Sequence, residues 1–93
     1  MTILRAPASP AADPAALALG ALGWILQDEQ RAERFLSLTG LTPDGLRAGI
    51  ATRETQGAVL EFLCAHEPDL MAASEALAIE PAAITAAHEA LIR

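Results

Sequence analysis

The spacing of apolar and polar positions divides the chain into helix-sized segments, and the first of these has no polar side. The stretch Ala15 to Leu26 (AALALGALGWIL) carries no charge and no strongly polar side chain. A helix that is apolar on every side must be covered by other elements in a soluble protein. Asp13 and Pro14 provide an N-cap and a proline suited to the first helical position. We therefore predict a central buried helix that runs to about Gln27. Gly20 and Gly23 within it are expected to let a neighbouring helix approach closely.

The next segments are amphipathic. From Asp28 onward, acidic residues come first, apolar residues recur on one face and Gly40 follows at the C-terminal position, which predicts a second helix. Arg31 and Arg34 are expected on its solvent side. Pro43, preceded by a threonine cap, then opens a short third helix.

Three further helices follow from the same signals. Thr52 caps a fourth helix whose apolar face is expected to include His66, Pro68 ends it and starts a fifth with Met71 on its inner side, and Pro81 starts the last. The predicted core comprises Leu19, Leu22, Ile25, Leu26, Phe35, Leu38, Leu46, Val59, Phe62, Leu63, Leu70 and Ile84.

The chain shows signs of two similar halves. A shift of 38 residues superposes Pro43 on Pro81 and places Trp24 on Phe62. Identities are few, and amphipathic helices also match by chance, so an internal repeat and a chance likeness are equally supported.

Composition sets the fold class. At 93 residues the chain fits one domain; alanine is the commonest residue in its hydrophobic fraction of 53%, whereas aromatic residues make up only 3%. Alanine favours helix, and the residues that strands prefer are scarce. We predict an all-α, compact bundle of about six short helices over residues 14–93. Residues 1–13 are predicted to form a flexible tail.

The net charge and the cysteine content indicate which binding partners and which cellular compartment to expect. The formal net charge of −6 at pH 7 repels phosphate backbones and anionic lipids, so nucleic acid and membranes are disfavoured. Cys64 is the single cysteine and cannot form an internal disulfide. The apolar run ends short of the roughly 20 residues that a bilayer span needs, and Asp13 just before it does not suit a signal peptide. We expect a cytoplasmic protein.

Cys64, His66 and His88 are the side chains best suited to chemistry. Cys64 and His66 lie two residues apart on a predicted helix, about 200° around its axis, so they do not pair as nucleophile and base. Burial of the cysteine as a small apolar residue is favoured, and a small enzyme that uses these three residues stays an alternative. No HExxH or CxxC spacing occurs, so no catalytic residue, metal ligand or cofactor is assigned.

A second alternative is a helix-turn-helix regulator that binds DNA. The segments LTGLTPDGL and ALAIEPAAI have the form of a helix, a tight turn and a proline-started helix. A recognition helix needs donors for phosphates and base edges, and these two offer only Arg47, Thr85 and His88. Helical corners in a compact bundle are therefore the favoured interpretation.

The favoured function is a non-enzymatic protein–protein interaction or scaffold module. A small chain this rich in apolar residues has more apolar surface than it readily buries alone. Its partner is another protein or a second copy in a homodimer. The candidate binding surface consists of Trp24, Arg31, Arg34 and Arg47, since arginines bind carboxylates at two points; solvated ion pairs are the alternative role for these arginines.

The chain resembles a family of short bacterial helical proteins known as domain of unknown function family 3572. The likeness lies in WILQDEQRAERFLSLTGLTPDGLR, VLEFLCAHEPDL and the final helix that starts at Pro81. The resemblance implies one helical domain over residues 14–93 and no particular activity, ligand or catalytic residue.

Overall fold

A computed structural model describes residues 13–93 of the chain. The predicted flexible tail lies outside these residues, except for Asp13. Within them the chain folds into six helices and contains no strand, which confirms the all-α prediction. The helices are α1 Pro14–Leu26, α2 Glu29–Thr39, α3 Pro43–Gly49, α4 Arg53–Cys64, α5 Glu67–Leu77 and α6 Pro81–Ile92.

Local capping explains where most of these helices begin. The Asp13 carboxylate accepts a hydrogen bond from the Ala15 amide at 3.1 Å, and the Thr42 and Thr52 hydroxyls accept from amides one turn into α3 and α4. These bonds satisfy amide groups that have no partner within the helix. The predicted helix starts at Pro14, Pro43 and Pro81 are confirmed.

The junction between α4 and α5 differs from the prediction. We expected α4 to continue to Pro68 with His66 on its apolar face, but α4 ends at Cys64 and His66 is the N-cap residue of α5. His66 has extended backbone angles there, so its side chain leaves the line of the α4 face and points toward the surface. The residue before a helix needs that conformation, whereas an apolar helical position does not.

The core forms where α1 is enclosed by α4, α6, α2 and α5. Burial of α1 is confirmed on the sides that these helices cover, since Leu17, Ala18, Ala21 and Ile25 are almost completely inaccessible. The side chains that meet them come mainly from α2, α4 and α6. The largest of these are Phe35, Val59, Leu60, Leu63 and Ile84.

Three leucines expected in the core are exposed instead, and so is Met71, which was expected on the inner side of α5. Leu19 is 59% accessible, Leu26 46%, Leu38 72% and Met71 51%. For the two leucines of α1 the reason is that α3 makes its main contact with α4 and leaves one side of α1 uncovered. The central helix is therefore not fully enclosed within residues 13–93.

The two glycines of α1 lie along this uncovered side. We expected Gly20 and Gly23 to permit close approach of a neighbouring helix, but a Cβ atom at either position would meet no atom within 4 Å among the described residues. The structure contradicts that expectation for neighbours within residues 13–93. Both glycines face open space.

The helices of the two halves stand in register. Under the 38-residue shift, α2 coincides with α5 from first to last residue, and the starts of α3 and α6 coincide. The residues after α2 and α5, Gly40 and Ala78, both adopt left-handed backbone angles, with φ of 75° and 56°. The likeness of the halves thus extends to the turns that end their middle helices.

The halves differ in their third helix. α3 ends at Gly49, whereas α6 continues to Ile92 and packs more extensively on α4 than on any other helix. A Cβ atom on Gly57 would lie 3.5 Å from Cγ2 of Ile92. Gly57 is the counterpart of Leu19, so the last turn of α6 covers in the second half what α3 leaves open in the first.

No single helix within residues 13–93 is long and apolar enough to cross a bilayer. Only α5 and α6 taken together reach that length and composition, and the two helices meet at 107°.

Filling the open side of α1 with methyl groups should stabilise the fold. We expect Gly20→Ala and Gly23→Ala each to raise the free energy of unfolding by about 0.5–1 kcal/mol, because alanine favours helix and its Cβ meets nothing at these positions. Urea denaturation at low protein concentration measures this. A matched Gly40→Ala variant should instead lose stability, since Gly40 has a positive φ. A destabilised Gly20→Ala/Gly23→Ala double variant would contradict the open surface.

Candidate functional site

An apolar groove lies beside the uncovered side of α1. It encloses about 310 Å³ between α1, α2 and α3, and we call it the α1–α3 groove. Leu22 and Leu46 are buried at its floor, whereas Leu19 and Leu26 stand exposed along its α1 wall. The residues that line it are Leu19, Leu22, Leu26, Leu36, Pro43, Leu46, Arg47 and Ile50.

Charge is nearly absent from the groove. Among the described residues that line it, only Arg47 is charged. Its guanidinium donates to the Asp44 carboxylate at 3.1 Å, and both side chains are well exposed. An exposed pair of this kind contributes little to stability, so Arg47 can exchange Asp44 for another carboxylate at little cost.

Trp24 and Arg31, two of the predicted binding residues, contact each other at the corner between α1 and α2. The Arg31 guanidinium lies 3.5 Å above the centre of the Trp24 ring and donates a hydrogen bond to the Trp24 carbonyl. It also lies 3.7 Å from Asp28. The Arg31 side chain is only 17% accessible, which differs from its expected place on the solvent side of α2. The structure thus uses Arg31 to satisfy the C-terminal end of α1.

Arg34, the third predicted binding residue, belongs to a partly buried polar cluster. Its guanidinium pairs with the Asp69 carboxylate, and Nδ1 of His66 lies 2.9 Å from the same carboxylate. Arg34 also lies over the Phe62 ring, at 5.2 Å from its centre. Because Asp69 is buried and has both groups around it, we interpret the cluster as a tie between α2 and α5.

Beside this cluster a second cavity of about 520 Å³ opens between α2 and α4. Its apolar wall includes Leu38, Ala58 and Phe62, and Glu61 stands at its rim. The Phe62 ring meets the buried Phe35 ring edge to face, with centres 5.3 Å apart. Arg34 is paired with Asp69, whereas Glu61 forms no ion pair with another described residue, so this cavity combines an apolar wall with an acidic rim.

No hydrogen bond joins Cys64, His66 and His88 to one another among the described residues. Burial raises the pKa of the Cys64 thiol; a hydrogen bond with Thr85 lowers it and the charge of Glu61 raises it further. A nucleophilic cysteine needs a shift in the opposite direction. His66 is bound to Asp69, and Nε2 of His88 is buried without a hydrogen-bond partner among residues 13–93.

The described part of the chain contains no cluster of three or more His, Cys, Asp or Glu side chains that could hold a metal ion. The three donors named for the helix-turn-helix alternative lie in different surroundings. Arg47 is exposed, but the Thr85 hydroxyl donates to the Pro81 carbonyl at 3.2 Å and His88 turns its Nε2 inward. The donors named for the helix-turn-helix alternative are thus partly used within the fold.

Most of the groove was not predicted as a binding site from the sequence. Leu19 and Leu26 were expected in the core, and of the residues that line the groove only Arg47 was predicted to bind a partner. A signal was available in the comparison of the halves, because Gly57 is the counterpart of Leu19 under the 38-residue shift. A glycine where the other half has a leucine indicates that the two sites are covered differently.

Residues 13–93 form a small all-α domain of six helices with an apolar, nearly uncharged cleft. The chain belongs to the family described as protein of unknown function DUF3572, whose model matches residues 11–92. The resemblance drawn from the sequence is thereby confirmed. No curated protein and no solved structure shows a significant match to the chain.

Removing the arginine of the polar cluster should reduce stability. In Arg34→Ala the buried Asp69 keeps only His66, and we expect the free energy of unfolding at pH 7 to fall by about 1–2 kcal/mol. Urea denaturation of Arg47→Ala provides the matched control, and we expect a change within about 0.5 kcal/mol because that pair is exposed. Equal effects of the two substitutions would show that the cluster does not tie α2 to α5.

The thiol of Cys64 should react slowly at neutral pH. Burial raises its pKa, so at any pH below that pKa less thiolate is present than in the unfolded chain. Iodoacetamide alkylation measured against pH should show a midpoint above that of the same chain in urea. Thr85→Val should move the midpoint higher still, because it removes the hydrogen bond that lowers the pKa. A native midpoint below the denatured one would contradict this assignment.

Proposed function

We propose that the protein is a non-enzymatic interaction module that binds a helical segment of a protein in the α1–α3 groove. The observation that carries this proposal is the exposure of Leu19 and Leu26 along a groove whose floor is Leu22 and Leu46. Apolar side chains at helical spacing beside a cleft are the elements of helix-in-groove recognition. The cytoplasmic location expected from charge and cysteine content stays a prediction.

The second half of the molecule supports a helical occupant. There α6 runs antiparallel to α4, since Arg53 donates to the Ala90 carbonyl at 2.7 Å while Cys64 hydrogen-bonds Thr85. The last turn of α6 brings Leu91 and Ile92 against Gly57. α3 stops before the corresponding turn. A helix that offers apolar side chains would complete the first half as α6 completes the second.

Arg47 supplies the polar element of this binding site. It stands at the rim of the groove and is exposed, so a carboxylate of the partner can replace that of Asp44. An arginine at the rim adds orientation and specificity more than affinity. Trp24, Arg31 and Arg34, which were predicted as binding residues too, make contacts within the fold, and we do not include them in the proposed binding surface.

Site-specific photo-crosslinking in the native cell tests this proposal. A photoreactive amino acid placed at Leu19 or Leu26 should give protein adducts. The same group at Met71, a similarly exposed apolar position on α5, is the control and should give adducts of at least tenfold lower yield. If all three positions label equally, or if the groove positions give no adduct, the groove is not the binding site.

A further inference from the structure

The exposed side of α1 offers a surface that fits a copy of itself. Resting on the function proposed above, we infer that the occupant of the α1–α3 groove is α1 of a second chain, so that two chains form a weak two-fold dimer. The shape and charge of this side of α1, its two uncovered glycines and the covered second half of the molecule support this dimer.

Shape is the first argument. A two-fold interface needs the projection and the depression on the same surface, because each chain contributes the same patch. Here Leu19 and Leu26 project from α1, and the groove floored by Leu22 and Leu46 lies directly beside them. Two α1 helices crossing in opposite directions would place the leucines of each chain at the groove of the other.

Charge is the second argument. The chain has a formal net charge of −6, yet no charged residue occurs from Pro14 to Leu26. Two copies can therefore meet along α1 without placing carboxylates against each other, and the repulsion between the rest of the two surfaces is screened within about 8 Å at physiological salt. Elsewhere the described surface carries many acidic residues and would oppose self-association.

The glycines provide the third argument. Gly23 lies between Leu19 and Leu26 on the exposed side, and Gly20 lies beside it. Neither glycine has a neighbour within 4 Å of a Cβ position among residues 13–93. In the second half, Leu91 and Ile92 of α6 cover α4 at Gly57, the counterpart of Leu19. Gly20 and Gly23 thus leave room for a second backbone beside the exposed leucines of α1.

The size of the patch limits the strength of the dimer. The exposed apolar side chains belong to one helix and one groove, which places the interface at or below the lower end of specific interfaces, about 1,200 Å² in total. We expect a dissociation constant on the order of 10–100 µM. At that affinity the protein is a monomer when dilute and a dimer when concentrated locally.

Sedimentation equilibrium of the full chain over a range of concentrations tests the inference. The wild-type chain should show a monomer–dimer equilibrium, and Leu19→Glu should weaken it at least tenfold by placing like charges in the interface. Met71→Glu adds the same charge at a similarly exposed apolar position on α5 and should leave the equilibrium unchanged. Raising the salt concentration should tighten the dimer or leave it unaltered, because the two copies carry charge of the same sign.

A second variant separates the interface from any effect on folding. Gly23→Gln places a flexible side chain where a Cβ meets no atom of the described chain, so the helical circular dichroism should be retained. The same side chain would hold two α1 helices apart, and the dimer should weaken at least tenfold.

Three results would overturn the inference: a wild-type chain that stays monomeric up to millimolar concentration, a dimer that survives both Leu19→Glu and Gly23→Gln, or equal weakening by Met71→Glu. None of these decides the function proposed above. Cellular crosslinks from Leu19 to a different protein would support the groove while excluding the second copy, and crosslinks from the purified chain alone to itself would support both.

Discussion

The packing of α1 on α4 is the contact on which the rest of the structure depends. Both helices bring residues with almost no solvent exposure to it, among them Leu17 and Ile25 from α1 and Leu60 and Leu63 from α4. α1 has no charge that could face water, so its stability within the fold depends on how many of its sides are covered. Four helices cover most of them, and the remaining side forms a wall of the groove.

Two arginine side chains connect the helices around the contact between α1 and α4. Arg31 satisfies the end of α1 and covers Trp24, while Arg34 connects α2 to the buried Asp69 of α5. A guanidinium suits such corners because it is planar, carries several donors and stacks on aromatic rings. Arg31 and Arg34 were predicted as binding residues from the sequence, but both make contacts within the fold. Arg47 is the arginine that stays exposed beside the groove.

The fold was predictable to the extent that it is encoded locally. A capping side chain followed by proline marks the helix starts at Pro14 and Pro43 through bonds within one turn. At Pro81 the proline alone marks the start, since Glu80 makes no side-chain cap bond. The exposure of Leu19 and Leu26 depends instead on where α3 ends and which helix it contacts. Local patterns do not contain that information, so the groove could not be located from periodicity alone.

The turn between α5 and α6 has a consequence for how the second half is kept closed. Ala78 holds a left-handed backbone that alanine adopts at a cost of about 1–2 kcal/mol, and hydrogen bonds between Ser74 and Ile79 keep it there. A glycine at this position would adopt the same angles without that cost, so the packing of α6 on α4 has to offset the strain of the turn. The second half is therefore closed by tertiary contacts against the local preference of its turn. In the first half Gly40 adopts its positive φ freely, and the shorter α3 gains no comparable packing.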